Sequence, residues 1–237
     1  MKKLTKALLL TLCAVLLVVG TVLGTLAYLT DRSTVENTFT VGNVDIKVDE
    51  SDVNENGEQE TTPEGETAPR VEENDYHLLP GESYIKDPTM TVIKDSEESY
   101  VRMILTITHY SELKAIFGED FLPENFASGW DRTIWPCVGI TDNGDNTVSY
   151  EFRYHTTVDA SDAAEDIVLE ALFTQINVPG TLTGEQMATI ADMKIVVEGH
   201  AIQTASFEDV ADENGVTVTA EDAAWAAFEQ QYSAANP

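Results

Sequence analysis

The sequence predicts an all-β fold: an antiparallel β-sandwich or jelly roll with short helical insertions and a C-terminal helix. Three observations carry that expectation. Apolar and polar residues alternate at period two in four separate segments, turn chemistry joins two strand-like runs, and no regular helices intervene between them. Apolar residues make up 43% of the 237, enough to build a core.

Taken in order, the chain opens with Lys2, Lys3 and Lys6 and continues as an apolar run from Ala7 to Ala27, broken only by Thr, Gly and Cys13. At about 1.5 Å per residue such a run could also span a bilayer, so two readings compete: a cleaved signal, or an uncleaved anchor with its lysines inside. Thr25-Leu26-Ala27 places small residues where a signal peptidase reads, and polar, β-prone sequence follows at once. Cleavage between Ala27 and Tyr28 is therefore favoured, with signal peptidase as the first partner. On either reading the remainder lies outside the membrane and touches it only through the leader. The expected organisation is a signal peptide over 1–27, a sandwich over 28–205 and a tail with a helix over 206–237.

Strands are expected where Val44, Ile46 and Val48 alternate with polar residues, and again across 101–108, 148–154 and 193–198. Further strands are expected at 89–94, 132–140 and 166–178. The stretch 141–147, "TDNGDNT", carries turn chemistry, so 134–140 and 147–154 are expected as a hairpin, with Asp142 and Asp145 as turn formers. Residues 49–75 hold eleven acidic residues, one Arg and two Pro, and almost nothing apolar. Such a segment buries too little surface to offset its ordering entropy, so a flexible acidic loop within one sandwich is expected.

Three short helices complete the list. The first, 111–118, starts at a capping Ser111 and stops at Gly118; the second is 183–191. In the third, 219–232, Thr219 and Asp222 form a capping box and alanine dominates the middle. Trp225 and Phe228 share a face there, which marks a helix packed on the sandwich rather than one reserved for a partner.

The stretch "GTLAYLTDRSTVENTFTVGNVDIKV" resembles the start of the TasA/camelysin family of Gram-positive exported proteins, which carry an alternate-type signal peptide. The shared pattern is Ala27 and Tyr28 at the cut, then Thr30-Asp31, Asn37-Thr38-Phe39 and Gly42-Asn43-Val44-Asp45-Ile46. Residues 78–107 resemble the family's second block, and "VVEGHAIQTASF…AEDAAWAAF" resembles the C-terminal end of related members. The resemblance implies a jelly-roll core, secretion to the cell surface, and fibres of the extracellular biofilm matrix built by donation of the N-terminal strand. It also raises a peptidase activity, since camelysin-type members have been classed as metallopeptidases.

The charge bounds the partners. Thirteen basic residues face 42 acidic ones, a formal net of −29. Such a surface repels phosphate backbones, so nucleic acid is not expected as a partner. The excess acid reads as solubility before it reads as an ion site. Asp52-x-Asn54-x-Asn56-Gly57 copies the first half of a calcium loop, but Pro63 stands where the bidentate Glu belongs, so this is a weak metal candidate. Calcium is the one ion worth testing; no other cofactor is expected. His77, His109, His155 and His200 lie far apart, without the H-E-x-x-H arrangement of helical zinc peptidases. No catalytic residues are expected. Cys137, the lone cysteine beyond the leader, reads as a small buried hydrophobe.

The function expected from all this is structural: a secreted matrix subunit that associates with itself or with related matrix proteins. Thr38, Phe39, Thr40 and Val41 are the candidate donor strand, which would add to a neighbour's open sheet edge. Pairing of 28–41 only within its own sandwich is the competing reading. A camelysin-like metallopeptidase and a calcium-responsive adhesion module are the alternatives. Loss of the leader leaves 10 bases against 42 acids, a net of −32, so subunits repel. Assembly followed by light scattering is expected to speed up with added salt, divalent cations or lowered pH, and indifference to all three would place the charged faces away from the contact.

Overall fold

In the computed structural model, residues 30–34, 37–39, 44–119, 121–211 and 217–235 are described. The fold is all-β, with antiparallel sheets and few helices. Fourteen strands appear among these residues: β1 (Thr30–Thr34), β2 (Asn37–Phe39), β3 (Ile46–Asp49), β4 (Ser83–Ile85), β5 (Thr89–Val92), β6 (Ser99–Thr108), β7 (Ala127–Ser128), β8 (Cys137–Asp142), β9 (Thr147–Arg153), β10 (Ile167–Val168), β11 (Gln175–Asn177), β12 (Ile195–Gln203), β13 (Val210–Ala211) and β14 (Thr217–Val218). The helices are α1 (Tyr110–Phe117), α2 (Gly184–Thr189) and α3 (Ala220–Ala235).

One layer is a six-stranded antiparallel sheet in the order β2-β1-β12-β6-β9-β8. The long strands show the alternation expected of them: along β9, Val148, Tyr150 and Phe152 are buried while their neighbours are half-exposed. The other layer consists of two three-stranded sheets, β10-β5-β3 and β4-β11-β7. These are two ends of one interrupted ribbon, because Leu169 N–H donates to Met90 O, Leu172 N–H to Pro88 O and Lys86 N–H to Thr174 O across the gap. The strand expected over 166–178 is thus split in two. At the break the indole N–H of the fully buried Trp135 takes the Glu170 carbonyl at 2.9 Å, so that carbonyl is turned out of the ladder.

The layers meet where β12 crosses β3 and β5. A Cβ at Gly199 would lie 2.4 Å from Val48 Cγ2 and 2.9 Å from Met90 Cε, so only glycine allows this approach. The inner faces of both layers pack into one cluster around Ile46, Met90, Met103, Leu105, Tyr150 and Phe152.

Four expectations need correction in detail. Residues 132–136 are not strand: Asp131 O accepts from Ile134 and Trp135 N–H and Asp131 Oδ1 from Thr133 N–H, forming a turn, and β8 begins at Cys137. The β8–β9 hairpin itself forms as expected, with a bulge between Cys137 and Gly139. Helix α1 is not capped by Ser111. His109 stands at the N-cap with φ 63°, and the caps come from Asn146, whose carbonyl takes Tyr110 N–H and whose side chain takes Ser111 N–H.

The segment 49–75 departs most from expectation. In place of a flexible loop, Glu50 and Val71 exchange backbone hydrogen bonds of 2.8 Å, and bridges join Val53 to Gln59 and Thr61 to Thr67. The cause is Arg70, the segment's one basic residue. Its guanidinium reaches Asp49 at 2.5 Å, Asp87 at 2.8 Å and Thr89 Oγ1 at 2.8 Å. Beside it Lys86 and Glu50 form a buried pair at 2.6 Å. Charge-assisted bonds thus supply the anchoring that apolar burial lacks here. Finally, the tail carries the small hairpin β13–β14, which is not among the expected elements although Asn214-Gly215 lies between its strands in the sequence.

Gly199→Ala is expected to destabilise the fold by about 1–3 kcal/mol in denaturant titration through overpacking. Gly139→Ala, where the nearest atom to the new Cβ lies 3.7 Å away, is the control and should shift the midpoint little.

Candidate functional site: the edge and outer face of β12

β12 is bound on both sides. Nine residue pairs join it to β6, and on its other edge Thr30↔Ile202, Asp31↔Ala201, Arg32↔His200 and Ser33↔Gly199 join it to β1. β2 then folds back on β1, with Thr38 opposite Ser33 and Phe39 opposite Arg32. The described part of the donor candidate therefore pairs within its own chain. Thr40 and Val41, like Ala27 and Tyr28 at the expected cut, lie outside the described residues. Among the described residues no helix is long and apolar enough to cross a membrane.

The outer face of β12 carries α3. As its sequence spacing implied, Trp225 and Phe228 are both buried, and with Ala224 and Ile202 they form a second apolar cluster separate from the main core. Their support is a cation. Arg102 of β6 is 3% exposed, its guanidinium carbon 4.4 Å from the Trp225 ring centre and 5.1 Å from that of Phe228. Arg102 Nε donates to His200 Nδ1 at 3.1 Å, Nη1 reaches Glu151 at 3.4 Å, and Nη2 binds Glu229 of α3. The His200 ring lies 4.7 Å from Phe228, tilted by 32°. Toward the start of the helix, Arg153 holds Asp222 at 2.6 Å and Glu151 at 2.8 Å, while Asp222 N–H donates to Thr219 Oγ1. Sequence reading missed Arg102 and His200 as partners because 98 residues separate them. The one available signal was a lone arginine at the outward phase of an apolar strand.

The other candidates do not converge. Asn54 Oδ1 accepts from Asn56 N–H and Glu58 N–H, and Gly57 N–H donates to Asn54 O, so Asn54-x-Asn56-Gly57 closes a turn. Gly57 has φ 70° and packs so closely on Tyr84 that a Cβ would sit 2.6 Å from it. Asp52 contributes its carbonyl, which accepts from Glu60 N–H and Gln59 Nε2. His109 Nδ1 contacts Thr108 Oγ1, and His155 packs its ring on Tyr154. Among the described residues no group of three or more His, Cys, Asp or Glu could hold a metal ion. Cys137 is half-buried, and burial pushes its thiol upward in pKa, away from the thiolate.

No family model matches the chain, and no curated protein or solved structure matches it either.

Arg153, and after it Thr219, hold the Asp222 carboxyl below the usual aspartate range. A depressed folded value means that its contribution is complete above about pH 4 and is lost as pH falls through the folded value. Asp222→Asn is therefore expected to reduce amide protection of α3 at neutral pH and to match the parent chain in strong acid. The difference should stay under about 1 kcal/mol because the carboxylate is half-exposed.

Proposed function

We propose that this chain is a secreted structural subunit of jelly-roll type that assembles into extracellular fibres by β-strand addition of its N-terminal segment. The reading joins the leader over 1–27, the resemblance carried by residues 24–48, and the two-layered antiparallel body. The observation that supports it most is the position of β1. It lies on the edge of β12 in a four-pair register and belongs to the first strand pair after the expected cut. Strand pairing is made by backbone groups, so the same register serves equally for β1 of a neighbouring copy. Exchange of that kind is heterologous and does not close, which yields filaments rather than rings. While the leader is uncut, the segment stays tethered at the membrane, so cleavage acts as the release step. Self-association, or association with related matrix proteins at the surface of a Gram-positive cell, is the implied setting. The reading assigns no catalytic residue and no cofactor.

The register supplies the test. Two exported chains, both Cys137→Ser, would carry Asp31→Cys in one and Ala201→Cys in the other, since these positions pair. Mixed under oxidising conditions, they are expected to form a disulfide between chains in step with filaments seen by electron microscopy. Filaments that appear without that disulfide, or that survive deletion of 28–36, would remove the proposal.

A further inference from the structure

We propose that α3 is a proton-operated latch over the β1–β12 edge: it is closed while His200 is neutral, opened when His200 takes a proton, and its opening frees the edge for strand exchange. The last step rests on the assembly reading above; the latch itself rests on geometry alone.

His200 Nδ1 accepts from Arg102 Nε at 3.1 Å, so in the closed state that nitrogen carries no hydrogen and the ring is neutral. Protonation places a hydrogen on Nδ1, facing the guanidinium. The hydrogen bond is lost, and two cations then lie side by side in a buried site. Arginine cannot shed its charge, so the strain is relieved by movement. What Arg102 supports is α3: Trp225 and Phe228 stack about its guanidinium, Glu229 binds it, and Phe228 also covers the His200 ring.

The charged groups facing His200 come from every neighbouring element. Arg102 approaches from β6, and through it Glu151 from β9 and Glu229 from α3. Glu198 on its own strand lies 3.7 Å from Nε2, and Arg32 stands opposite on β1 by register. The carboxylates favour the imidazolium and Arg102 opposes it. Arg102 lies nearer the ring than the Glu198 carboxylate does, at 3.1 against 3.7 Å, and is the more buried of the two, so the neutral ring fits the closed state.

The link to the edge is positional. Two β12 residues beneath α3, His200 and Ile202, are the ones paired with Arg32 and Thr30 of β1. With α3 seated, the β12 side of this pairing is covered on its outer face. With α3 lifted, the edge opens at lower cost, as expected where few buried contacts remain.

The test uses the full exported chain at roughly 0.5 M salt, where charge repulsion between copies is largely screened. Hydrogen exchange over 195–203 and 220–235 would be read beside light scattering. The parent chain is expected to lose α3 protection as pH falls from about 7.5 to about 5, with the assembly lag shortening over the same step. His200→Gln keeps an acceptor for Arg102 but takes no proton, and should hold α3 closed and the lag long down to about pH 5. Phe228→Ala should open α3 and shorten the lag at about pH 7.5. Parent protection that does not change with pH, or a His200→Gln chain that follows the parent, overturns the latch. Equal assembly with α3 open and closed overturns its control of the edge. Normal proton-driven opening with no assembly in any chain establishes the latch and overturns the assembly reading instead.

Discussion

Gly199 is where the two layers touch, and the rest of the molecule is arranged around the strand that carries it. With no side chain at that point, Val48 and Met90 of the opposing layer come within van der Waals reach of the β12 backbone. That approach sets the spacing of the sandwich and places the core between Met103, Leu105 and Tyr150 on one side and Ile46 and Met90 on the other. β12 is then used on every remaining side. One edge carries the long pairing to β6, the other carries β1, and the outer face carries α3. β12 is thus engaged on both edges and both faces, which is why the proposed assembly and its control are both placed there.

Charge decides how the periphery is held. A chain with 42 acids and 13 bases carries a large excess of like charge, and three of its arginines each serve at least two acids at once. Arg70 gathers Asp49 and Asp87 and pins a segment that has little to bury. Arg153 gathers Glu151 and Asp222. Arg102 gathers Glu151 and Glu229 and adds two aromatic faces and a histidine. The two arginines on the outer face thus seat an acidic helix on an acidic body. Such attachments are specific and labile together, because ion pairs yield to pH and salt while the main core beneath them does not.

Assembly and solubility make opposite demands on such a molecule. High like charge keeps copies apart, while strand addition depends on backbone groups that carry no charge and recognise any β-prone segment. On the proposed reading, β1 resolves the conflict by covering the β12 edge within its own chain until a neighbour's strand replaces it. The helix seated on the outer face of β12 would, as proposed, add a second barrier, and acid that opened it would also lower the net charge that separates the copies.

Periodicity made the long strands legible. Alternation in 101–108 and 148–154 reads as half-buried strand because period two is the geometry of the pleat, and β6 and β9 follow it. Thr219, Asp222, Trp225 and Phe228 likewise announced a capped helix with one buried face, because capping and helical spacing are local. What the sequence by itself determined, then, was the all-β class, the hairpin around 141–147 and the packing helix. Only the tertiary structure decided the break in 166–178, the Asn146 cap on α1, the anchoring of 49–75 by Arg70 and the Arg102–His200 support beneath α3. Each of these depends on a hydrogen bond or ion pair between residues far apart in the chain, and its free energy appears only after the sandwich has brought the partners within about 3 Å.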